Sequence, residues 1–297
     1  FAFIARFAFT RINLNLTRPA LVALMVFSAL GSAASNAFGF SELGMGKRQY
    51  NIVSANRDLE FLLGPGAVIS GPYAAAFTQE NKIKSHLHFF GEAWSDSSLL
   101  VSLPITHLAV DKSNFERAVK QSRSLQSARP ITSYWIGTHE VSILDISQVY
   151  ENPRANDYQK SAYEQAALFY DNFKYDTAMQ ILAHDPSLIQ NSRSAALLYA
   201  RSMLRANLIN EAMHNYQVLY GLYPTDFLVT LEAANTVHRV SEMRHDTALY
   251  VRAMGLYESA IDINPWETER VQALATETAR YFEKQRAGGK PGGTQQK

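Results

Sequence analysis

From Pro19 to Phe40 the chain reads PALVALMVFSALGSAASNAFGF, 22 residues without a charge beside an otherwise mixed-charge sequence. This run limits the fold more than any other feature. At about 1.5 Å per residue it makes a helix roughly 33 Å long, enough to cross a hydrocarbon core of about 30 Å. Arg6, Arg11 and Arg18 precede it, and no acidic residue occurs before Glu42. Because positive charge stays on the cytoplasmic side, the expectation is a transmembrane helix over 19–40. The lipid bilayer is its partner, and the residues after about 41 are extracytoplasmic (periplasmic). Lys47 and Arg48 pull against that orientation. A cleaved signal peptide is the second reading, with a basic start, an apolar core over Ala20–Leu30 and a small-residue exit at Ser35-Asn36-Ala37. The first residue is Phe, so residues 1–18 are expected to be a leader or loop from a region lost upstream.

About 257 residues follow the run, which suits two domains of about 100–150 residues each. Lys and Arg number 28 against 27 Asp and Glu, a net charge of +1. That balance offers no basic field to a phosphate backbone, so nucleic acid is not an expected partner. Cysteine is absent, which excludes disulfides, thiolate metal sites and a cysteine nucleophile.

Residues 49–148 mix short helical and strand patterns. Ile52, Ala55, Leu59 and Leu62 share one helical face, and Gly64-Pro65 stops that helix. A strand over Ala67–Ser70, a Gly71-Pro72 turn and a helix over about Ala74–Lys82 come next. Further strands are expected at Ser85–Phe90, Ile105–Val110, Ile131–Ile136 and Glu140–Ile146, the last two joined as a hairpin across Gly137-Thr138-His139. Asn114–Arg123 reads as a helix with Ser113 or Asn114 as its N-cap. The sum is a small mixed α/β domain with an antiparallel edge.

From 157 to 285 period-two alternation disappears and only helices are expected. Ala178 (YDTAMQIL) and Ala212 (INEAMHNY) stand 34 residues apart in matching settings, and Pro224 follows Ala212 by twelve. This resembles the tetratricopeptide repeat, whose small residue lets paired helices approach and whose Pro closes the second helix. A third unit at Tyr257, Ala260 and Pro265-Trp266 lies late, which implies an insertion around Ser241–Thr247. Pro186 follows Ala178 by eight residues, which implies a shortened second helix in the first unit. A closing helix is expected over Glu267–Lys284, then a disordered tail over 286–297 that lacks apolar residues apart from Ala287. The fold class expected is therefore an N-terminal transmembrane helix, a small mixed α/β domain, then all-α tetratricopeptide-like helical repeats.

Few residues point to chemistry. Gly64, Gly66 and Gly71 precede or follow a strand at the wrong spacing for a dinucleotide fingerprint and read as helix stop and turn. His86 and His88 share a strand face and His107 lies on a neighbour, but no patterned fourth ligand accompanies them, so no metal is expected. Nothing in the sequence brings any two of Glu80, Asp111 and Glu116 together as an acid and base pair. No G-x-S-x-G elbow, H-E-x-x-H helix or P-loop occurs. No catalytic residue and no cofactor are assigned.

Three strings are less generic: LLGPGAVISGPYAAAFTQENK (62–82), LPITHLAVDKSN (103–114) and SYWIGTHEVSILDI (133–146). Together with the apolar run they resemble the extracytoplasmic C-terminal region of dolichyl-phosphate-mannose-type membrane glycosyltransferases of the GT-C class. These multi-pass enzymes take a sugar from a polyprenyl-phosphate donor, and in some relatives the last membrane helix leads to a small α/β domain and then to tetratricopeptide repeats. The resemblance implies that this chain is the non-catalytic outer part of such an enzyme. The acidic catalytic residue and donor contacts of the family lie upstream of anything matched here. Glu80, Asn81, His107 and Asp111 are then candidates for contacts to an acceptor or to the membrane body, with loop and helix capping as their plainer role. The alternative class is a secreted or singly anchored repeat protein without enzymatic activity that binds a protein or peptide in a concave groove. That geometry points to Tyr163, Tyr170, Tyr199 and Asn235, which equally suit packing between helices.

Overall fold

The structure is a computed structural model and describes residues 52–90, 99–136, 139–149 and 157–288, all within the unit Arg48–Lys297. The uncharged run, the leader, the Gly137-Thr138 link and residues 289–297 of the tail lie outside the described residues. No helix among the described residues is long and apolar enough to cross a membrane.

The first helix, α1 (Ile52–Leu62), buries Ala55, Leu59 and Leu62 as its spacing predicts, and Asn56 and Asp58 with them. It ends where the chain squeezes past Gly64. A Cβ there would lie 2.0 Å from the Gln159 carbonyl oxygen, so only glycine fits. Strand β1 (Val68–Gly71) is wholly buried. The helix expected over Ala74–Lys82 is instead a run of turns with a 3₁₀ segment at Ala76–Thr78. Side-chain amides take the backbone partners a helix would need: Asn56 Nδ2 donates to the Ala76 carbonyl at 2.7 Å, and Asn81 Nδ2 to that of Phe77 at 2.9 Å.

Strands β2 (Lys84–Leu87) and β3 (His107–Asp111) pair in parallel with β1. Between them lies the short helix α2 (Leu99–Ser102). Strands β4 (Arg129–Ile136) and β5 (His139–Asp145) form the expected hairpin, with Ile136 opposite His139, and β5 runs antiparallel to β3. The mixed sheet is ordered β2-β1-β3-β5-β4, so its edges are β2 and β4. A register shift at Pro130/Thr132 sits where a proline has no N–H to give the ladder. Helix α3 (Lys112–Gln121) covers one sheet face, and its N-cap is Asp111 rather than Ser113 or Asn114. Leu108, Val110, Ala118, Leu125 and Leu144 form the core on that side.

The helical region opens with α4 (Ala162–Asp171) and α5 (Tyr175–Ala183), then α6 (Pro186–Asn191). Next come α7 (Arg193–Arg205) and α8 (Ile209–Leu222), α9 (Phe227–Arg244) and α10 (Thr247–Ile263), and a final α11 (Thr268–Gly288). Helices α4/α5, α7/α8 and α9/α10 are three hairpins closed by one kind of turn. Phe173, Asn207 and His245 all take positive φ (60°, 66° and 52°). The N–H one residue later then reaches back five residues to a helix carbonyl: Lys174 to Phe169 at 2.9 Å, Leu208 to Met203 at 2.9 Å, Asp246 to Ser241 at 3.0 Å. Ala178 and Ala212 are fully buried in the second helices of their hairpins.

The insertion expected around Ser241–Thr247 is taken up as helix. Ser241–Arg244 is helical and the extra residues lengthen α9 and α10 to 18 and 17 residues. The first unit is short, as expected: α5 ends at Ala183, and Asp185 caps a new helix with Pro186 in its first turn. The closing helix starts at Thr268, after a 3₁₀ turn at Pro265–Glu267.

Both regions share one core. Leu59, Leu62, Ile69, Tyr134 and Ile143 from the α/β part pack with Tyr163, Ala166, Ala178, Leu182 and Ala195 from the helices.

Candidate functional site

The most organised polar region lies where the first helix of each hairpin meets the edge strand β4. Edge strands carry backbone groups that point away from the sheet and need partners. Tyr163 Oη of α4 donates to the Ile131 carbonyl at 2.7 Å, and Arg193 Nη1 of α7 to the Ser133 carbonyl at 3.0 Å. Thr132 and Ser194 hydroxyls meet at 2.7 Å, and Trp135 packs edge-on against Phe227 of α9, with ring centroids 5.2 Å apart. Successive β4 residues therefore rest on α4, α7 and α9 in turn.

Arg193 anchors this seam. It binds Asp226, the N-cap of α9, through two nitrogens at 3.0 and 2.9 Å, and its guanidinium lies 5.5 Å from the Tyr134 ring centre. Burial lowers its pKa, but the Asp226 and Asp58 carboxylates outweigh that and raise it further, so the charge is fixed. Asp58, 4% exposed, accepts from Tyr134 Oη (2.8 Å), Ser192 Oγ (2.5 Å) and Ser194 Oγ (2.5 Å). In the cleft beside them, about 240 Å³, Asp58, Tyr134, Arg193 and Asp226 are thus already engaged with one another or with their neighbours.

A second buried network ties α4 to the sheet. His107 Nε2 lies 3.1 Å from Glu164 Oε1 and its Nδ1 lies 2.7 Å from Thr106 Oγ1. An ionised carboxylate only accepts, so the proton is assigned to Nε2. Glu164 Oε2 accepts from Tyr158 Oη (2.7 Å), the Ser161 N–H (2.8 Å) and the Gly64 N–H (3.0 Å). Burial raises the Glu164 pKa, but His107 and these donors prevail and hold it below its ordinary value. Hydroxyl, imidazole and carboxylate thus line up as in a nucleophilic relay. Thr106, His107 and Glu164 are nonetheless 1%, 0% and 3% exposed, and line none of the described clefts. Buried in this way, the network latches α4 to β3.

Two further clefts border the hairpin of β4 and β5. One of about 250 Å³ lies between Ile131, Ser133 and Glu140 and the inner faces of α4 and α7, marked by Tyr170, Asp171 and Arg201. The other, about 450 Å³, lies between Trp135 and Glu140, the start of α3 at Lys112 and Glu116, and Glu267 and Arg270. They meet at Glu140, whose carboxylate accepts from Ser133 Oγ at 2.7 Å.

Of the groove residues expected from the repeat geometry, Tyr170 alone lines one of the described clefts. Tyr163 is 1% exposed and spent on the Ile131 carbonyl. Tyr199 packs against the shared core, and Asn235 accepts from Tyr257 Oη at 2.8 Å. Among the residues carried over from the resemblance, Asn81 holds backbone carbonyls, Glu80 is exposed and offers its N–H to Asn56, and His107 is buried in the latch. Asp111 lines the larger cleft, but its carboxylate accepts from Tyr73, Ser113 and Asn114. Burial raises its pKa, and those donors reverse the effect and hold it at about 2. The described residues hold no group of three or more His, Asp or Glu placed for a metal ion. The sequence reading missed Asp58, Arg193, Trp135 and Glu140. Only Asp226 carried a local sign, an acidic residue directly before an apolar helix.

No protein-family model and no curated protein matches the chain.

Proposed function

We propose that this chain is a non-catalytic docking module, in which tetratricopeptide-like hairpins and an α/β unit together present a groove to a protein or peptide partner. The observation that carries this reading is the convergence of the first helices on β4, with two clefts left open along the hairpin and meeting at Glu140. The three hairpins with their matching turns support the repeat assignment. The likeness to polyprenyl-phosphate-dependent glycosyltransferases gives the module a setting. In that setting it stands on the extracytoplasmic side of a membrane-embedded catalytic body, tied to the bilayer by 19–40, and supplies no reacting group. The strings that carry the likeness contribute to β1, β3, β4 and β5, of which the last three line the groove.

Photo-crosslinking from positions 140 and 170 in the intact protein in its cells tests the docking function. A discrete protein adduct is expected from both, and none from position 251 on the outside of α10. Adducts from 251 alone, or from none of the three, would remove the reading. Several further hydrophobic spans upstream of Phe1 in the complete reading frame are the expected sign of the glycosyltransferase setting, and an initiator Met a few residues upstream would sink it.

A further inference from the structure

We propose that the two clefts meeting at Glu140 take an extended basic segment of a partner protein, with lysine or arginine side chains set against Asp171, Glu140 and Glu116. The proposal rests on the docking function above and adds the chemistry of the occupant.

The charges that line the clefts are unevenly balanced. Arg201 is held by Glu232, with Nε to Oε2 at 2.9 Å, and Arg270 pairs with Glu267 at 3.2 Å. Asp111 is saturated by its cap contacts. Among the remaining lining residues, Asp171, Glu140 and Glu116 stand against Lys112 and His139, with Arg129 also acting on Asp171. No hydrogen bond or ion pair among the described residues holds Asp171 or Glu116. Asp171 is exposed at the end of α4; partial desolvation raises its pKa and Arg129 opposes this more weakly, so a further cation brought to it would favour the ionised carboxylate. This excess of negative charge occurs in a chain whose net charge is +1, so it is local.

Trp135 narrows the class of ligand. Its indole N–H is buried without an acceptor among the described residues, while the side chain borders the larger cleft. A buried donor without an acceptor is costly. A metal ion or a polyamine brings charge but no acceptor, whereas an extended peptide brings basic side chains and backbone carbonyls together. The indole face also attracts a guanidinium or ammonium group. A peptide laid along the outer face of the hairpin has acceptors and cations at the alternating spacing that the strands offer.

The test is calorimetric titration of the full chain with a flexible peptide of alternating lysine and serine, alongside the glutamate-serine counterpart and spermine. The lysine peptide is expected to bind, and to weaken as salt rises. The triple variant Glu116→Gln, Glu140→Gln, Asp171→Asn is expected to weaken it at least about tenfold, with an unchanged thermal melt as the folding control. Trp135→Phe, which keeps a ring but removes the N–H, is expected to weaken the peptide while leaving spermine unaffected. Equal binding of the glutamate peptide, equal or tighter binding of spermine, no binding of the lysine peptide, or a triple variant indistinguishable from the parent would each overturn the proposal. Crosslinks from position 140 to a partner that lacks a basic segment would leave the docking function standing and remove the basic class alone.

Discussion

The two edges of the sheet solve one problem in different ways. Strand β2 has four residues, with Lys84, Ser85 and Leu87 exposed, and it deters further pairing by being short and carrying a charge. Strand β4 has eight residues, long enough to recruit another strand, and it is covered by helices whose side chains occupy its outward carbonyls. A short polar edge needs no neighbour, whereas a long one makes the sheet depend on the helical region. The hairpins and the α/β part are therefore one cooperative body here.

Removing the anchor of the covered edge is the strongest way to break this contrast. Arg193→Ala leaves Asp226 buried without its cation and the Ser133 carbonyl without its donor, and is expected to cost about 3–5 kcal/mol by urea denaturation. The matching change at the open edge, Lys84→Ala, is expected to stay within about 0.5 kcal/mol. Equal losses at the two sites would dissolve the distinction.

The latch that docks α4 beside β4 should give the covered edge an acid sensitivity. Glu164 has a lower pKa folded than its ordinary 4.5, so its stabilisation is complete above that value and is lost as pH falls through the lower folded value. Glu164→Gln is expected to cost about 1.5–3 kcal/mol at neutral pH. Parent and variant should converge as denaturation is repeated below about pH 4.5, and parallel stability curves across that range would refute the assignment. A smaller loss than that at Glu164 sharpens the comparison at one atom. Tyr163→Phe removes a single donor from the β4 carbonyls and is expected to cost about 1–2 kcal/mol. It should also speed amide exchange in β4 relative to β2, and unaltered exchange would mean that the cap does not protect the edge.

Much of the fold was legible in local pattern. The α1 face at Ala55, Leu59 and Leu62, the β4–β5 hairpin and the 34-residue echo of Ala178 and Ala212 all follow from spacing. The failures were also local in appearance but tertiary in cause. Residues 74–82 look helical until Asn56, some twenty residues away in sequence, takes their carbonyl. The extra residues expected around Ser241–Thr247 are present, but only the structure shows that α9 and α10 take them up as helix. Tyr163 reads as a groove residue only if the groove is imagined empty.

By itself the sequence determined the order of parts: an uncharged run, a mixed sheet with an antiparallel edge, then paired helices. These depend on period, turn residues and caps, which act over a few residues. The tertiary structure alone decided which faces meet. Hydrogen bonds such as Tyr163 to Ile131, Arg193 to Ser133 and His107 to Glu164 join residues 32, 60 and 57 apart in sequence. No local pattern encodes them, because the helices had to close over β4 before its edge carbonyls could choose their donors.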